Sequence, residues 1–259
     1  MKVKKIRADK LLVEKGLVDS RQRAQAIILA GKVRYSTDGS NFQQIKKPSE
    51  LLPVDSIFSI EEDLPYVSRG GLKLEAALKL FAIDPKDWVC LDVGASTGGF
   101  THCLLAHRAK KVYALDVGKG QLHYKLRGDP RVISLEGINA RYLTPEMFPE
   151  KFDLITVDVS FISLKRILPV LPPLLKEGGL IIALIKPQFE LSPREVKRGI
   201  VKDTKLHFKV VQSIWDYALE LKLKPLGVIE SPLPGAKGNK EFFIALSYEN
   251  RSDSLCPSK

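Results

Sequence analysis

Residues 91–101 read LDVGASTGGFT, an apolar run that passes directly into a loop of small residues. The pattern predicts a buried strand over 88–93, with Asp92 at its C-terminal end. In the turn that follows, Gly94, Gly98 and Gly99 let the backbone approach a ligand and start the next helix. Ser96 and Thr97 add hydroxyls and Phe100 enters the helix, so Asp92, Gly94, Ser96, Thr97, Gly98, Gly99 and Phe100 are the candidate ligand contacts. A dinucleotide fingerprint would read G-x-G-x-x-G, whereas this loop reads G-A-S-T-G-G. A bound pyrophosphate is therefore not expected. A second strand, over 111–115, ends at Asp116, about 20 residues beyond the glycines, where a Rossmann-type site sets an acid on ribose hydroxyls. An ordinary glycine-rich turn has no use for an acid at that distance.

With 259 residues and 44% apolar content, the chain can hold one average domain plus a small one. No apolar run approaches the roughly 18 residues of a membrane helix, and MKVKKIRADK has no apolar segment behind its charges. A soluble, cytoplasmic protein is expected. Cys90, Cys103 and Cys256 are odd in number and lack metal spacing, so neither a disulfide framework nor a metal site is expected, and Cys90 reads as core. The formal charge is +11, and residues 1–60 carry twelve Lys and Arg against six acids. That N-terminal excess fits either a phosphate backbone or a solvated, solubilising face.

The N-terminal segment predicts two short helices, over 8–15 and 21–30, with Gly16 and Gly31 beyond their ends and Ser20 as the second N-cap. An alternating strand follows over 32–35, then short apolar runs to residue 60 broken by Pro48 and Pro53. EEDLP at 61–65 breaks the pattern, giving domains over 1–62 and 63–248 and a disordered polar tail over 249–259. In the second domain a helix over 72–81 buries Leu74, Ala77, Leu78 and Phe81, which leaves Lys73 as a possible surface residue. Strands recur around 112, 132, 153–159 and 180–185, separated by segments of helical length. The last amphipathic helix lies over 207–221 and two closing strands over 227–230 and 242–248. The fold class is α/β, a Rossmann-like parallel sheet covered on both faces, with a small N-terminal α+β domain.

A parallel sheet collects its active site at the C-terminal ends of its strands. Asp158 follows one core strand, Lys186 follows another, Lys73 begins a helix and Glu241 opens the final strand. Charged groups closing core strands are seldom buried unless paired, so Asp158 and Lys186 form either a catalytic set or a structural ion pair.

The first sixty residues, with R-x-D-x-x-L-V-x-x-G, S-R-x-x-A and I-x-x-G-x-V in order, resemble the αL RNA-binding module. That resemblance implies RNA contacts at Arg7, Arg21, Arg23, Lys32 and Arg34. Arg69, in SRGGLK, is assigned to the RNA as well. The loose glycine pattern is similar to that of enzymes that bind S-adenosylmethionine. SRGGLK, DVGASTGGFT, TVDVSFISL, IKPQFE and GNKEFF, in this order behind such a module, resemble the TlyA family, haemolysin-named ribosomal RNA 2'-O-methyltransferases with an FtsJ-like domain. The resemblance covers nearly the whole chain. It implies S-adenosylmethionine as cofactor, ribosomal RNA or a ribosomal subunit as partner, a catalytic set of Lys73, Asp158, Lys186 and Glu241, and Asn139 at the adenine edge. His102, Gly118-Lys119 and His123 depart from the family pattern near the cofactor.

A ribose hydroxyl is a weak nucleophile at neutral pH, so methyl transfer to it requires orienting the hydroxyl and removing or sharing its proton. Lys186 is the residue expected to do one or the other. His102 and His107 read as capping or packing residues. A membrane-lytic protein is the rival that the haemolysin name suggests, and an RNA-binding protein that has lost catalysis is a third reading. No dedicated protein partner is expected.

Overall fold

The computed structural model describes residues 4–60 and 65–249, and the chain divides into two compact units, Met1–Asp63 and Leu64–Lys259. Of the boundary read at 61–65 only Pro65 is described, and the polar tail beyond Glu249 lies outside the described residues.

In the first unit α1 (Ala8–Glu14) and α2 (Arg21–Leu29) form as the sequence predicts, and the Ser20 hydroxyl caps α2 by accepting from the Arg23 amide at 3.2 Å. β1 (Lys5–Arg7) pairs antiparallel with β4 (Leu51–Pro53), while β2 (Val33–Ser36) lies between β3 (Gln43–Gln44) and β5 (Ile57–Ile60). Leu11, Leu12, Ile27, Ile28 and Leu52 close a small core. β1 is absent from the sequence reading, because KKIR shows one apolar residue among charges and only pairing to β4 makes it a strand.

The second unit contains α3 (Arg69–Leu80), β6 (Val89–Val93), α4 (Gly99–Ala106), β7 (Lys111–Asp116), α5 (Tyr124–Arg127), β8 (Val132–Glu136) and β9 (Phe152–Val157). These are followed by β10 (Leu175–Ile185), α6 (Pro187–Glu190), α7 (Thr204–Glu220), β11 (Leu223–Glu230) and β12 (Phe242–Tyr248). The seven strands run in the order β11-β12-β10-β9-β6-β7-β8, and β12 is antiparallel to both of its neighbours. Strand residues alternate between the faces: Leu91, Ile155 and Ile181 pack with Val210 and Ile214 of α7. Cys90, Leu154 and Ile182 pack with Leu74 of α3 and Leu104 of α4. Each fully buried Leu or Ile contributes roughly 1.5–3 kcal/mol toward holding these layers before chain entropy is counted.

The crossovers differ from the expectation of helices throughout. Between β9 and β10 the chain makes three short 3-10 turns, Leu164–Arg166, Leu168–Val170 and Pro172–Leu174. Pro169, Pro172 and Pro173 remove the amide donors that a continuous α-helix would need there. Among the described residues no helix is long and apolar enough to cross a membrane.

Strand order reverses at β6, whose neighbours β7 and β9 lead to opposite halves of the sheet, and a crevice opens at such a switch point. The register fixes what gathers there. Val93 pairs with Leu115 and Val157, Val157 with Ala183, and Ile185 with Phe242. One residue farther along each strand are Gly94, Asp116, Asp158, Lys186 and, because β12 runs the other way, Glu241.

Candidate active site

The backbone at the switch point is closely packed. The Asp158 amide donates to the Val93 carbonyl at 2.9 Å, and a Cβ on Gly94 would lie 2.6 Å from the Asp158 carbonyl oxygen. Only glycine lets the two strand ends meet at that distance.

Two cavities open on either side of this junction, with Gly94, Ser96, Asp158 and Ser160 in the walls of both. The larger, about 910 Å³, is lined by Leu115, Asp116, Val117, Ile138, Asn139 and Ile167 among others. Asp116 is held in place by the Ser96 amide on Oδ2 at 2.8 Å and the Gly118 amide on Oδ1 at 2.7 Å. Asn139 caps the turn after β8, its Oδ1 accepting from the Arg141 amide at 3.1 Å. An acid at the end of β7 with apolar walls beside it suits a nucleoside, the carboxylate for the ribose hydroxyls and the aliphatic side chains for the base.

The smaller cavity, about 540 Å³, is lined by Thr97, Gly99, Phe100, Lys73, Lys186 and Arg69, together with residues 234–238. Two ion pairs stand in it or beneath it. Lys186 Nζ lies 2.7 Å from Asp158 Oδ1 and donates to Ser160 Oγ at 2.9 Å. Asp158 Oδ1 is buried and makes no well-directed hydrogen bond, so Lys186 holds it by charge. Lys73 Nζ donates to Glu241 Oε2 at 2.6 Å. Lys73 is therefore not a surface residue: α3 starts at Arg69, and the lysine falls on its buried face with Gly71 and Leu74. Glu241 does not reach the cavity wall, since the Gly235 backbone covers it so closely that a Cβ there would overlap Glu241 Oε1.

Asp92 and Gly98 line neither cavity. The Asp92 carboxylate is fully buried behind the loop, accepting from Thr101 Oγ1 at 2.7 Å and from Thr156 Oγ1 at 3.0 Å. Burial pushes its carboxyl up to about 7 against the pull of those two hydroxyls. Gly98 makes room for protein, because a side chain would overlap Leu126 and Leu122. His102 packs edge-on against Tyr66, and its Nδ1 accepts from the Val67 amide at 3.1 Å, the packing role read from sequence. Arg69 reaches the Pro234 carbonyl at 3.4 Å. Sequence reasoning did not single out Ser160, although a small hydroxyl residue two positions after Asp158 is a readable signal for a partner of Lys186. Phe161 also lines the larger cavity, 90% exposed.

In the first unit Arg7 and Arg21 converge on one acid. Arg7 donates to both Asp9 oxygens at 3.0 and 2.8 Å, Arg21 to Oδ2 at 3.1 Å and Gln25 to Oδ2 at 3.0 Å. The Arg7 guanidinium holds the Asp9 carboxyl well below the usual carboxylate range. Arg23 and Arg34 are exposed and Lys32 is partly buried.

The chain resembles known proteins over nearly its whole length. It is 45% identical to YqxC of Bacillus subtilis, across 96% of this chain and 88% of that one. The 16S/23S rRNA (cytidine-2'-O)-methyltransferase TlyA of Mycobacterium tuberculosis is 43% identical, with 94% and 90% covered. A solved protein from Streptococcus thermophilus that carries a hemolysin name is 40% identical, superposes with a TM-score of 0.73 and is matched over 96% of this chain and 90% of its own. The model of the FtsJ-like methyltransferases matches residues 66–248, so nearly all of the second unit. The chain belongs to the FtsJ-like methyltransferase family and, within it, to the TlyA and hemolysin A group.

Proposed function

We propose that this methyltransferase modifies a ribose 2'-hydroxyl of ribosomal RNA, with Lys186 orienting or deprotonating that hydroxyl. The observation that carries the reading is the convergence of the Lys186–Asp158 and Lys73–Glu241 pairs beside a second cavity headed by Asp116. The M. tuberculosis relative is named for the same chemistry on 16S and 23S rRNA.

S-adenosylmethionine is the methyl donor, and when bound it supplies an electrophilic methyl group on a sulfonium. The donor's adenosine fits the larger cavity, with Asp116 on the ribose hydroxyls and Asn139 at the base, while Gly94 and Ser96 line both cavities. The target hydroxyl then sits in the smaller cavity near Lys186 Nζ. Methyl transfer would form an O–C bond as the donor's S–C bond breaks, with the hydroxyl proton passing to solvent while Lys186 is an ammonium, or to Lys186 once its amine has released a proton. Asp158 and Ser160 aim the Lys186 amine, and Glu241 holds Lys73 in the same wall. The first unit acts as an αL-type RNA-binding domain, with Arg7, Arg21, Arg23, Lys32 and Arg34 facing phosphates and Arg69 gripping RNA beside the reacting ribose.

The test is single-turnover transfer of labelled methyl from S-adenosylmethionine to rRNA from cells lacking the gene, with 2'-O-methyl ribose mapped afterward. Label that appears on a base, or does not appear in RNA at all, overturns the reading.

A further inference from the structure

The turn that follows Lys186 holds a carboxylate for which the chemistry above has no use. Glu190, at the end of α6, accepts from the Ser163 hydroxyl through Oε2 and from the Leu164 amide through Oε1 at 2.8 Å. Ser163 and Leu164 close the segment 158–163, every residue of which lines one of the two cavities or both. That segment is thus tied to the chain 186–190 at both ends: Asp158 and Ser160 to Lys186, Ser163 and Leu164 to Glu190.

Between the two ties the backbone is strained. Phe161 has φ +64°, a left-handed conformation that a bulky L-residue adopts only where its surroundings hold it. Its ring is mostly exposed and stands tilted against Phe189 at a centroid distance of 5.1 Å, so packing holds it weakly. Burial raises the Glu190 carboxyl above its ordinary range, opposed by the two donated hydrogen bonds and by Lys165. Glu190 is only partly buried, and both of its carboxylate oxygens are used to fasten one loop.

We infer that Glu190 is a positioning residue for methyl transfer: it anchors the strained turn at Phe161 so that Ser160 and Asp158 hold the Lys186 amine in its working direction. The inference rests on the functional reading above, with Lys186 as the residue being aimed. Without the anchor the turn relaxes, and an amine misplaced by about 1 Å costs up to roughly 100-fold in rate.

The variants are Glu190→Ala, Glu190→Gln, Ser163→Ala and Ser160→Ala, alone and combined with Glu190→Ala. In the cofactor-free protein, amide hydrogen exchange over 158–166 should quicken in Glu190→Ala while the core strands remain protected. With S-adenosylmethionine and rRNA, single-turnover transfer should fall by about 10- to 100-fold at temperatures where the variant is folded, and RNA affinity should hold. Glu190→Gln, which accepts from the Leu164 amide and donates to Ser163, should recover most of the rate. Ser160→Ala should cost less in the Glu190→Ala background than alone, because the anchor acts through that hydroxyl. A normal rate in Glu190→Ala, fully additive effects, or a glutamine variant no better than alanine overturns the inference. Should Glu190→Ala fail to fold, Ser163→Ala removes one of the two bonds and carries the same comparison. Wild-type protein that left rRNA unmethylated would overturn the functional reading instead, and the exchange measurement would still show whether Glu190 anchors the turn.

Discussion

Lys73 and Glu241, 168 positions apart in sequence, meet at 2.6 Å beneath the smaller cavity, with side chains only 11% and 3% exposed. Removing one partner of such a buried pair strands the other charge. Glu241→Ala should therefore lower unfolding free energy by about 3–5 kcal/mol, read by urea denaturation. An apolar pair, Lys73→Met with Glu241→Leu, should return most of that stability without returning methyl transfer. Recovery of activity in the apolar pair would reduce the two residues to scaffolding.

Lys186 separates catalysis from structure in a second way. Lys186→Ala should leave cofactor and RNA affinity near wild type while kcat falls by about 10²- to 10⁴-fold, if proton removal is its main work. Lys186→Arg should also be inactive, since a guanidinium keeps its proton and does not fit the compact place between Asp158 and Ser160. Near-normal single-turnover rates in the arginine variant would leave Lys186 a positioning charge only.

Asp116→Ala should weaken S-adenosylmethionine binding by roughly 1.5–3 kcal/mol in calorimetric titration, the loss of charged hydrogen bonds to the ribose. It also frees the Ser96 and Gly118 amides that the carboxylate now accepts from. An unchanged dissociation constant removes Asp116 from the cofactor site.

Asp92 makes stability depend on pH with a definite sign. Its folded-state value, about 7, lies above the ordinary value of 3.8, so the unfolded chain releases this proton first. Stability should decline as pH rises from about 4 to about 7, with a slope approaching 1.4 kcal/mol per pH unit, and level off above. Asp92→Asn can keep the hydrogen bonds to Thr101 and Thr156 without titrating, and urea denaturation across that range should show the slope removed. An identical slope in the variant would place the effect elsewhere.

RNA affinity is best tested away from Asp9. Arg21→Glu would put a second negative charge against that buried acid and damage the unit itself. Arg23→Glu with Arg34→Glu should instead weaken rRNA binding and reduce the log–log salt slope by about 0.7–0.9 for each phosphate no longer neutralised, with cofactor affinity unchanged. An unaltered salt slope would mark the basic face as solvation.

The main elements were legible because their signals are local. LDVGASTGGFT states a strand, a tight turn and a helix start within eleven letters, and α1 and α2 carry their own stops. Less legible was whatever depends on a distant partner. Lys73 looks like a surface lysine until Glu241 arrives across the fold, and β1 looks like a charged tail until β4 pairs with it. Asp92 reads as a ligand contact because it stands in the right motif, but Thr101 and Thr156 take up both of its oxygens. Glu190 belongs to the IKPQFE segment, yet sequence gives no sign that its targets lie at Ser163 and Leu164, on the other side of β10.

The position of β12 governs how the protein comes into being. It is the last described strand to be synthesised, yet it lies between β10 and β11, and β11 has no other partner among the described strands of the sheet. A nascent chain that has emerged as far as β11 therefore carries an edge strand with nothing to pair to and a buried lysine still lacking its counter-charge. Glu241 enters with β12, so sheet closure and completion of the buried Lys73–Glu241 pair are the same late event. The buried Lys73–Glu241 pair forms only after β12 has been made.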